Sequence, residues 1–472
     1  MATVTPSEFD AGPLTPGQRR IALTAIGGYF VDGYDLLVLA GALLAIQPAL
    51  GLSPGEVGIL TATAFLGMVI GSSISGPLTD RIGRKPIFFA SMALFVIGSV
   101  ATLAVHSLVP LLIMRLLIGI AIGADMPPVA ALITEFIPRR RRGTFTGLGG
   151  VAWMLGSVAA ILMTLLIYTA TGSEEHWRWV LATGALPALV LMFLRHKTPE
   201  SPHWLAARGR RQEALAAWRY AQGDQADFDT EAAKDDSSNS KDASPITTRS
   251  LFRRPFALLL LCICVYWGFN NLYGSAILLY QPTLITRIVD PEAYTALIFT
   301  GVTTLFAAIV GLIVCLYLIE SLGRRFIALS CITVLILACL TIYFGIGVAP
   351  LVLIAFAVAI AVINGGTSIA FYAWAPELFP TAVRGRAVGI ANMVGKAGSV
   401  IGTLALPTLY ESVGNGIFLL IAVAAAVNLT VVFLIAPETK GRSMEDLATG
   451  ATRMTQRAAR KNSASRLTRT HP

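Results

Sequence analysis

Charged residues are scarce in this chain: Asp, Glu, Lys and Arg make up 13% of its 472 residues, whereas 55% are hydrophobic. A soluble domain carries about 25% charged residues, so the composition favours a protein with many membrane-spanning segments. The five cysteines all lie in apolar segments, without the spacing of a disulfide framework or a metal site. No nucleotide-binding loop or nucleophile constellation occurs either, so we expect neither an enzyme nor a cofactor.

Apolar runs of about 20 residues are the length that crosses a bilayer as a helix. The first run follows a polar start and is too long for a signal peptide, so it indicates a retained span. The sequence predicts an all-α membrane protein with twelve spans, at 21–46, 56–78, 86–106, 108–134, 143–169, 179–194, 255–282, 293–319, 326–347, 349–377, 387–410 and 414–436.

The distribution of cations predicts the orientation. Of the 36 Lys and Arg residues, Arg178 and Arg287 fall in loops on one side, and Arg115 and Lys396 fall inside spans. The other 32 lie on the side shared by the two tails, 1–20 and 437–472. Cytoplasmic loops carry the excess of Lys and Arg, so we expect both termini in the cytoplasm of a cell-membrane protein. The net charge of +9 therefore indicates topology and not binding to nucleic acid.

A polar, Ser-rich stretch at 195–254 separates six spans from six. It shows no apolar periodicity, which predicts a disordered or partly helical cytoplasmic linker. The flanking halves, 21–194 and 255–436, repeat three motifs at an offset of about 240 residues. The pairs are DRIGRKP with ESLGRRF, EFIPRRRRG with ELFPTAVRG, and PESPHW with PETKGR. Parallel six-span repeats are a transporter architecture.

These motifs resemble the major facilitator superfamily over nearly the whole chain outside the linker and tails. RLLIGIAIG (115–123), PESPHWLAARGRRQEAL and PETKGRSMEDL are similar to its sugar-porter and related branches. DGYD (32–35) resembles aromatic-acid/proton symporters, and GADMPPVAALITEF (123–136) resembles both these and the phosphate/proton symporters. The resemblance implies two pseudo-symmetric six-helix halves around a central cavity, a small-molecule substrate moved with protons, and a monomer.

Charges inside spans are the strongest functional signal, since an ionisable side chain at the bilayer centre costs about 2.5–3.5 kcal/mol on insertion scales. Asp32 and Asp35 lie three residues apart, near one face of a helix. Helical rise places Asp125 near the depth of Asp32, and the resemblance implies that Arg115 pairs with Asp35. We expect proton coupling to involve Asp32, Asp35, Asp125 and Arg115, with one acid paired and another exchanging a proton. Alternatively, these acids only hold helices together through buried pairs.

A third set predicts the substrate site. Lys396 lies near mid-membrane, where a cation suits an anionic substrate or a switchable acid partner. Aromatic and amide side chains of the seventh and tenth spans could hold a planar organic acid by stacking and hydrogen bonds; packing alone is the alternative. The predicted substrate-binding residues are Lys396, Asn270, Asn271, Tyr273, Trp267, Asn364, Tyr372 and Trp374.

The repeated loop motifs predict a gate. Gly76 allows a close helix approach, and Asp80 can face the positive N-terminal end of another helix, which the resemblance identifies as the eleventh. Motif cations would pair with acids such as Glu135 when the cavity closes on this side; topology signals alone are the alternative. The predicted gating residues are Gly76, Asp80, Arg81, Gly83, Arg84, Glu135, Arg142, Glu320, Arg324, Glu377 and Arg384.

The favoured function is therefore proton-coupled uptake of a small organic anion by alternating access. Two adjacent glutamines usual in sugar porters are replaced here by Phe269 and Asn270, and the G-P-x-x-W pattern of the tenth span is absent. The alternatives are a proton-coupled phosphate or sugar carrier, a drug/proton antiporter, or a non-transporting sensor on the same scaffold.

Overall fold

The computed structural model describes residues 14–171, 176–223, 251–253, 256–289, 292–345, 348–379 and 381–440. Within these ranges the chain is helical and forms no strand, and twelve helices are long and apolar enough to cross a membrane. The predicted fold class is confirmed. The first six spanning helices are α1 Pro16–Leu50, α2 Pro54–Ile82, α3 Arg84–Ala101, α4 Leu108–Phe136, α5 Arg139–Thr171 and α6 His176–Arg195.

Two short helices follow, α7 Pro202–Ala207 and α8 Arg211–Gln222. The second six spanning helices are α9 Phe256–Ile288, α10 Ala293–Leu322, α11 Arg324–Phe344, α12 Ala349–Glu377, α13 Thr381–Val413 and α14 Gly416–Ile435. Two π-helical segments interrupt this half, Val314–Leu318 in α10 and Ala361–Thr367 in α12. The side of the molecule on which α7 and α8 lie is called the linker face below.

Several helices extend beyond the predicted apolar runs. The predicted first span, 21–46, is the middle of α1, because Thr15 and Gln18 form a capping box that starts the helix among polar residues. The predicted linker boundary at 195 is one residue too early, since Arg195 ends α6 and is buried. The helices α7 and α8 make the linker partly helical, and residues 224–250 of the predicted linker lie outside the described ranges.

Glycines allow α2 and α4 to pack closely in the first half. A Cβ at Gly119 would lie 2.2 Å from the carbonyl oxygen of Ala64, and one at Gly71 would lie 2.1 Å from that of Ile120. Small residues permit such backbone approach between membrane helices. The first half meets the second mainly where α2 packs on α13 and where α5 packs on α10.

The repeated motifs adopt matching structures. Gly83 and Gly323 have φ of +101° and +94° and join α2 to α3 and α10 to α11. The Glu200 carboxylate accepts from the backbone N–H groups of Arg84 and Lys85 at 2.9 and 3.0 Å. Glu438 accepts in the same way from Arg324 and Arg325, at 3.1 and 3.0 Å. Each glutamate caps the free N–H groups at a helix start, so the PES and PET motifs fasten the chain after each half to that half's third helix.

Candidate functional site

A cavity of about 720 Å³ lies between the two halves, lined by α1, α2, α4, α5, α9, α12 and α13. It reaches the linker-side ends of α12 and α13, where Pro376, Gly385 and Gly389 line it. A Cβ at Gly385 or Gly389 would meet nothing within 4 Å. The cavity is therefore accessible from the linker face.

Hydrogen bonds between the halves close the opposite end. The Tyr280 hydroxyl lies 2.6 Å from Thr61 Oγ1 and donates to the carbonyl oxygen of Thr403 at 3.0 Å. A Cβ at Gly58 of α2 would lie 2.5 Å from the carbonyl oxygen of Leu404 of α13. A 720 Å³ space that opens to one face and is sealed at the other is what a carrier needs in one of its two alternating states.

Asp32 lies in the cavity wall. The indole N–H of Trp153 on α5 donates to Asp32 Oδ2 at 3.2 Å. Asp32 Oδ1 is buried and has no hydrogen-bond partner among the described residues, and none of their ion pairs includes Asp32. A buried carboxylate oxygen with no partner is costly. Asp35 Oδ2 is also unbonded, but Asp35 has an ion pair with Arg115, whereas Asp32 lines the cavity without one, which favours Asp32 as the acid that takes a proton.

Asp35, one turn further along α1, has a different environment. Arg115 Nη1 of α4 donates to Asp35 Oδ1 at 3.1 Å, as the resemblance implies, and both side chains are buried. Asp35 does not line the cavity. The two acids of DGYD are thus divided into one paired acid and one acid in the cavity wall.

Asp125, which the sequence places near the depth of Asp32 among the proton-coupling acids, forms a buried ion pair. Arg195 donates from Nη1 and Nη2 to its two carboxylate oxygens, at 2.5 and 3.0 Å. Asp125 is buried in this pair and does not line the cavity. Helical rise predicts Asp125 level with Asp32, whereas it lies beside Gly28, about one turn of α1 nearer the linker face. Its partner was not anticipated, because Arg195 falls at the start of the predicted linker in the sequence.

Lys396 of α13 lies in the cavity wall. Its Nζ is 3.3 Å from Met68 Sδ and 5.6 Å from the ring centroid of Phe65, both on α2. Among the ion pairs of the described residues, none includes Lys396. A thioether and an aromatic face bind an ammonium group weakly, so a carboxylate entering the cavity would be a stronger partner.

Aromatic and amide side chains from the second half form much of the remaining wall. Trp267 stacks on Phe371 with ring centroids 4.0 Å apart, Tyr372 meets Trp267 edge to face, and the indole N–H of Trp267 donates to Asn392 Oδ1 at 3.1 Å. Amides of the same wall belong to Asn270, Asn271, Asn364 and Asn392.

Two predicted binding residues do not line this wall. The hydroxyl of Tyr273 lies 3.1 Å from Asn428 Nδ2 of α14, and the indole N–H of Trp374 donates to the carbonyl oxygen of Pro437 at 3.2 Å. Both are buried inside the second half. The sequence could not show that Trp267 and Tyr372 face the cavity and that these two do not, since the direction of each side chain depends on how its helix is rotated in the packed bundle.

The predicted gating pairs lie within one half each. Arg84 Nη2 donates to Glu135 at 2.9 Å, and Arg324 Nη2 donates to Glu320 at 2.7 Å and Glu377 at 2.8 Å. These pairs exist while the cavity is open to the linker face. The expectation that they form only on closure is therefore wrong: they join α3 to α4 and α11 to α12, and do not bridge the halves.

Most of the other predicted gating residues lie at the linker-side ends of α2 and α13. Gly76 has open space where its Cβ would be, and Asp80 is exposed at the end of α2 with no ion-pair partner among the described residues. The carbonyl oxygens of Asp80 and Arg81 accept from Trp204 and Arg208 of the linker. Arg384 Nε donates to the carbonyl oxygen of Phe379 at 3.4 Å. The side chain of Arg142 lies outside the described part of the chain.

Sequence reasoning missed several residues of this region. The repeat of PES and PET was visible, but not that Glu200 and Glu438 cap helices. Trp153 gave no signal, since one tryptophan in an apolar span is ordinary. Arg195 and Asn392 could have been found only by knowing which helices are neighbours.

Comparison with known proteins agrees with this architecture. The family model for sugar (and other) transporters matches residues 21–450. The inner membrane metabolite transport protein YgcS of Escherichia coli (strain K12) is 31% identical over 92% of this chain and 95% of its own. The arabinose-proton symporter of Bacillus subtilis (strain 168) is 28% identical over 89% of this chain and 92% of its own.

Among solved structures, the xylose transporter XylE from E. coli, in a partially occluded inward-open conformation, superposes with a TM-score of 0.78 at 18% identity. That match covers 91% of this chain and 100% of XylE, which shows a shared fold. The chain thus belongs to the sugar (and other) transporter family of the major facilitator superfamily, as a multi-pass membrane transporter and not an enzyme.

Proposed function

We propose that this transporter carries a small organic anion together with protons by alternating access. The observation that carries the anion assignment is Lys396, which lines the cavity, contacts Met68 and Phe65 through its ammonium group, and belongs to no ion pair of the described residues. Lys396 is partly buried, and a cation withdrawn from water without an ion-pair partner favours a negative charge beside it. A substrate carboxylate would supply that charge, and the rings of Trp267 and Tyr372 would contact an apolar or planar body.

Asp32 is the proposed proton site. It shares the cavity with Lys396, forms no ion pair within the described part of the chain, and receives one neutral hydrogen bond from Trp153. A relative named as an arabinose-proton symporter supports proton coupling in this family. Arg115 and Asp35 would then stay paired and keep α1 and α4 together during the transport cycle.

A proton-coupled sugar carrier is the second candidate. The amides of Asn270, Asn271, Asn364 and Asn392 line the cavity and offer the donors and acceptors that sugar hydroxyls require. Relatives named for arabinose and glucose favour the same assignment.

Ligand-induced stabilisation of the purified protein separates the two candidates. A ligand that binds the folded state raises the apparent stability, so the melting temperature is measured with benzoate, succinate, inorganic phosphate, xylose or glucose. We expect a rise with a carboxylate. Lys396→Ala should weaken that binding on the order of tenfold or more, since a hydrogen bond to a charged group contributes about 1.5–3 kcal/mol and about 1.4 kcal/mol is tenfold.

Lys197→Ala, at an exposed lysine outside the cavity, is the matched control and should leave carboxylate binding unchanged. Stabilisation by xylose or glucose with no response to any carboxylate would reject the anion assignment in favour of the sugar carrier. Equal carboxylate affinity in wild type and Lys396→Ala would remove the role of Lys396.

A further inference from the structure

A second buried ion pair lies on the linker side of Asp32. Arg195, the last residue of α6, holds Asp125 of α4 with two hydrogen bonds, of 2.5 and 3.0 Å. Its Nε donates to the carbonyl oxygen of Thr24 on α1 at 3.2 Å, and its guanidinium lies 4.3 Å from the ring centroid of Phe88. The side chains of Arg195 and Asp125 are 3% and 6% exposed, so water screens this pair little.

The pair lies against the face of α1 that carries Asp32. A Cβ at Gly28 would lie 2.5 Å from Asp125 Oδ2 and 2.8 Å from Arg195 Nη2, so the missing side chain of Gly28 provides space for the ion pair. Gly28 and Asp32 are four residues apart, on the same helix face and separated by about 6 Å of helical rise. Asp125 is therefore about one turn of α1 from Asp32.

This places Asp32 between two carboxylates that each have an arginine partner, Asp35 with Arg115 and Asp125 with Arg195. If either arginine were removed, a buried negative charge would remain near Asp32, and like charges disfavour ionisation. The titratable and charged groups around Asp32 are Tyr29 and Asp35 on α1, Arg115 and Asp125 on α4, Arg195 on α6, Tyr372 on α12 and Lys396 on α13.

We propose that Arg195 is a positioning residue for proton exchange: by neutralising Asp125, it leaves Asp32 as the acid that takes up the transported proton. This inference rests on the proposed proton role of Asp32. The space at Gly28 lets Asp125 lie beside Arg195 and outside the cavity lining.

The test reads Asp32 directly and needs no substrate. The indole of Trp153 donates to Asp32, so protonation of Asp32 should change the emission of Trp153. The pH dependence of tryptophan fluorescence is measured on purified protein from pH 5 to 9. The Trp153 contribution is taken as the difference from Trp153→Phe, since the chain has seven tryptophans. Asp32→Asn should abolish the pH dependence of the Trp153 contribution.

The two members of the pair should act in opposite directions. Asp125→Asn leaves Arg195 as an uncompensated cation and should lower the midpoint of the Trp153 titration by about one pH unit, whereas Arg195→Gln leaves the Asp125 charge and should raise it by about as much. The double variant removes both charges and should return the midpoint to near that of the wild type. Arg210→Gln, which breaks an exposed pair with Glu213 in the linker, is the matched control and should change nothing.

The outcomes separate this inference from the proposed function. Wild-type midpoints in both single variants, or shifts in the same direction, would overturn the role of Arg195. A wild-type protein with no Trp153-dependent titration would instead reject Asp32 as the proton site. Asp125→Asn keeps the size of the side chain, so it tests the inference even if Arg195→Gln fails to fold.

Discussion

At the scale of single residues, two aspartates three positions apart on α1 have opposite environments. Asp35 is buried beside Arg115, whereas Asp32 lies in the cavity wall and receives one hydrogen bond from Trp153. Removing one member of a buried ion pair costs about 3–5 kcal/mol, which favours a structural role for Asp35 in the proposed mechanism. Asp32 has no ion-pair partner among the described residues, so we expect a change in its charge to perturb the fold less.

Replacing Asp32 separates coupling from translocation. Asp32→Asn should abolish uphill, pH-driven accumulation of the substrate and retain exchange of substrate across the membrane, because the amide keeps the shape but carries no proton. Reconstituted vesicles with and without an imposed pH gradient provide the measurement, with the carboxylate selected by thermal shift as substrate. Undiminished pH-driven accumulation in this variant would transfer the proton role to Asp35 or Asp125.

At the scale of helices, the linker-side end of α2 leaves open space for a closer approach of α13. A Cβ at Gly76 would meet nothing within 4 Å, and Asp80 is exposed. On the opposite side, α2 packs tightly on α13, where Gly58 contacts Leu404. Rocking of the halves about the cavity would exchange these arrangements, bringing Gly76 and Asp80 against the start of α13, where a helix N-terminus favours negative charge.

This difference gives a prediction for Asp80. Asp80→Asn should slow net transport severalfold and leave substrate affinity unchanged, because the lost charge acts only in the closed arrangement. Initial rates in vesicles and thermal-shift titration on purified protein measure the two effects. Glu411→Gln, at an exposed acid on α13, is the control. An equal loss of affinity and rate in Asp80→Asn would contradict a gating role, and poor expression would indicate misfolding.

Within α12, the π-helical segment Ala361–Thr367 coincides with Asn364, Gly365 and Gly366. The sequence predicts a weak point here from the two glycines. The segment places Asn364 in the cavity wall, and π-bulges of this kind occur frequently at functional sites.

At the scale of the whole molecule, the cavity opens toward the face that carries α7 and α8. The distribution of cations predicts that this face is cytoplasmic. The prediction is tested with Ser238→Cys, a linker position outside the described residues, and a membrane-impermeant thiol reagent. The new cysteine should react in inside-out vesicles and not in intact cells, with the unsubstituted protein as control for its five native cysteines. Labelling from outside intact cells would reverse the orientation.

Much of this architecture follows from sequence because it depends on local or compositional properties. Apolar run length predicts twelve spans, and the two copies of the DRIGRKP-like and P-E motifs predict two similar halves. In the structure, Gly83 and Gly323 form matching turns, and Glu200 and Glu438 form matching helix caps. Because a carboxylate inside a membrane span is costly, the sequence predicts that Asp32 and Asp35 are functional without any knowledge of their neighbours.

The assignment of partners was decided by tertiary structure, since it depends on which helices touch and on how each is rotated. Helical rise predicts Asp125 near the depth of Asp32, yet it lies beside Gly28, about one turn of α1 away, and is paired with Arg195. Tyr273 and Trp374 share their helices with Trp267 and Tyr372 but point away from the cavity. Sequence thus determined the spans, the repeat and the presence of buried charge, whereas helix packing decided which charges are neutralised and which remain free to act.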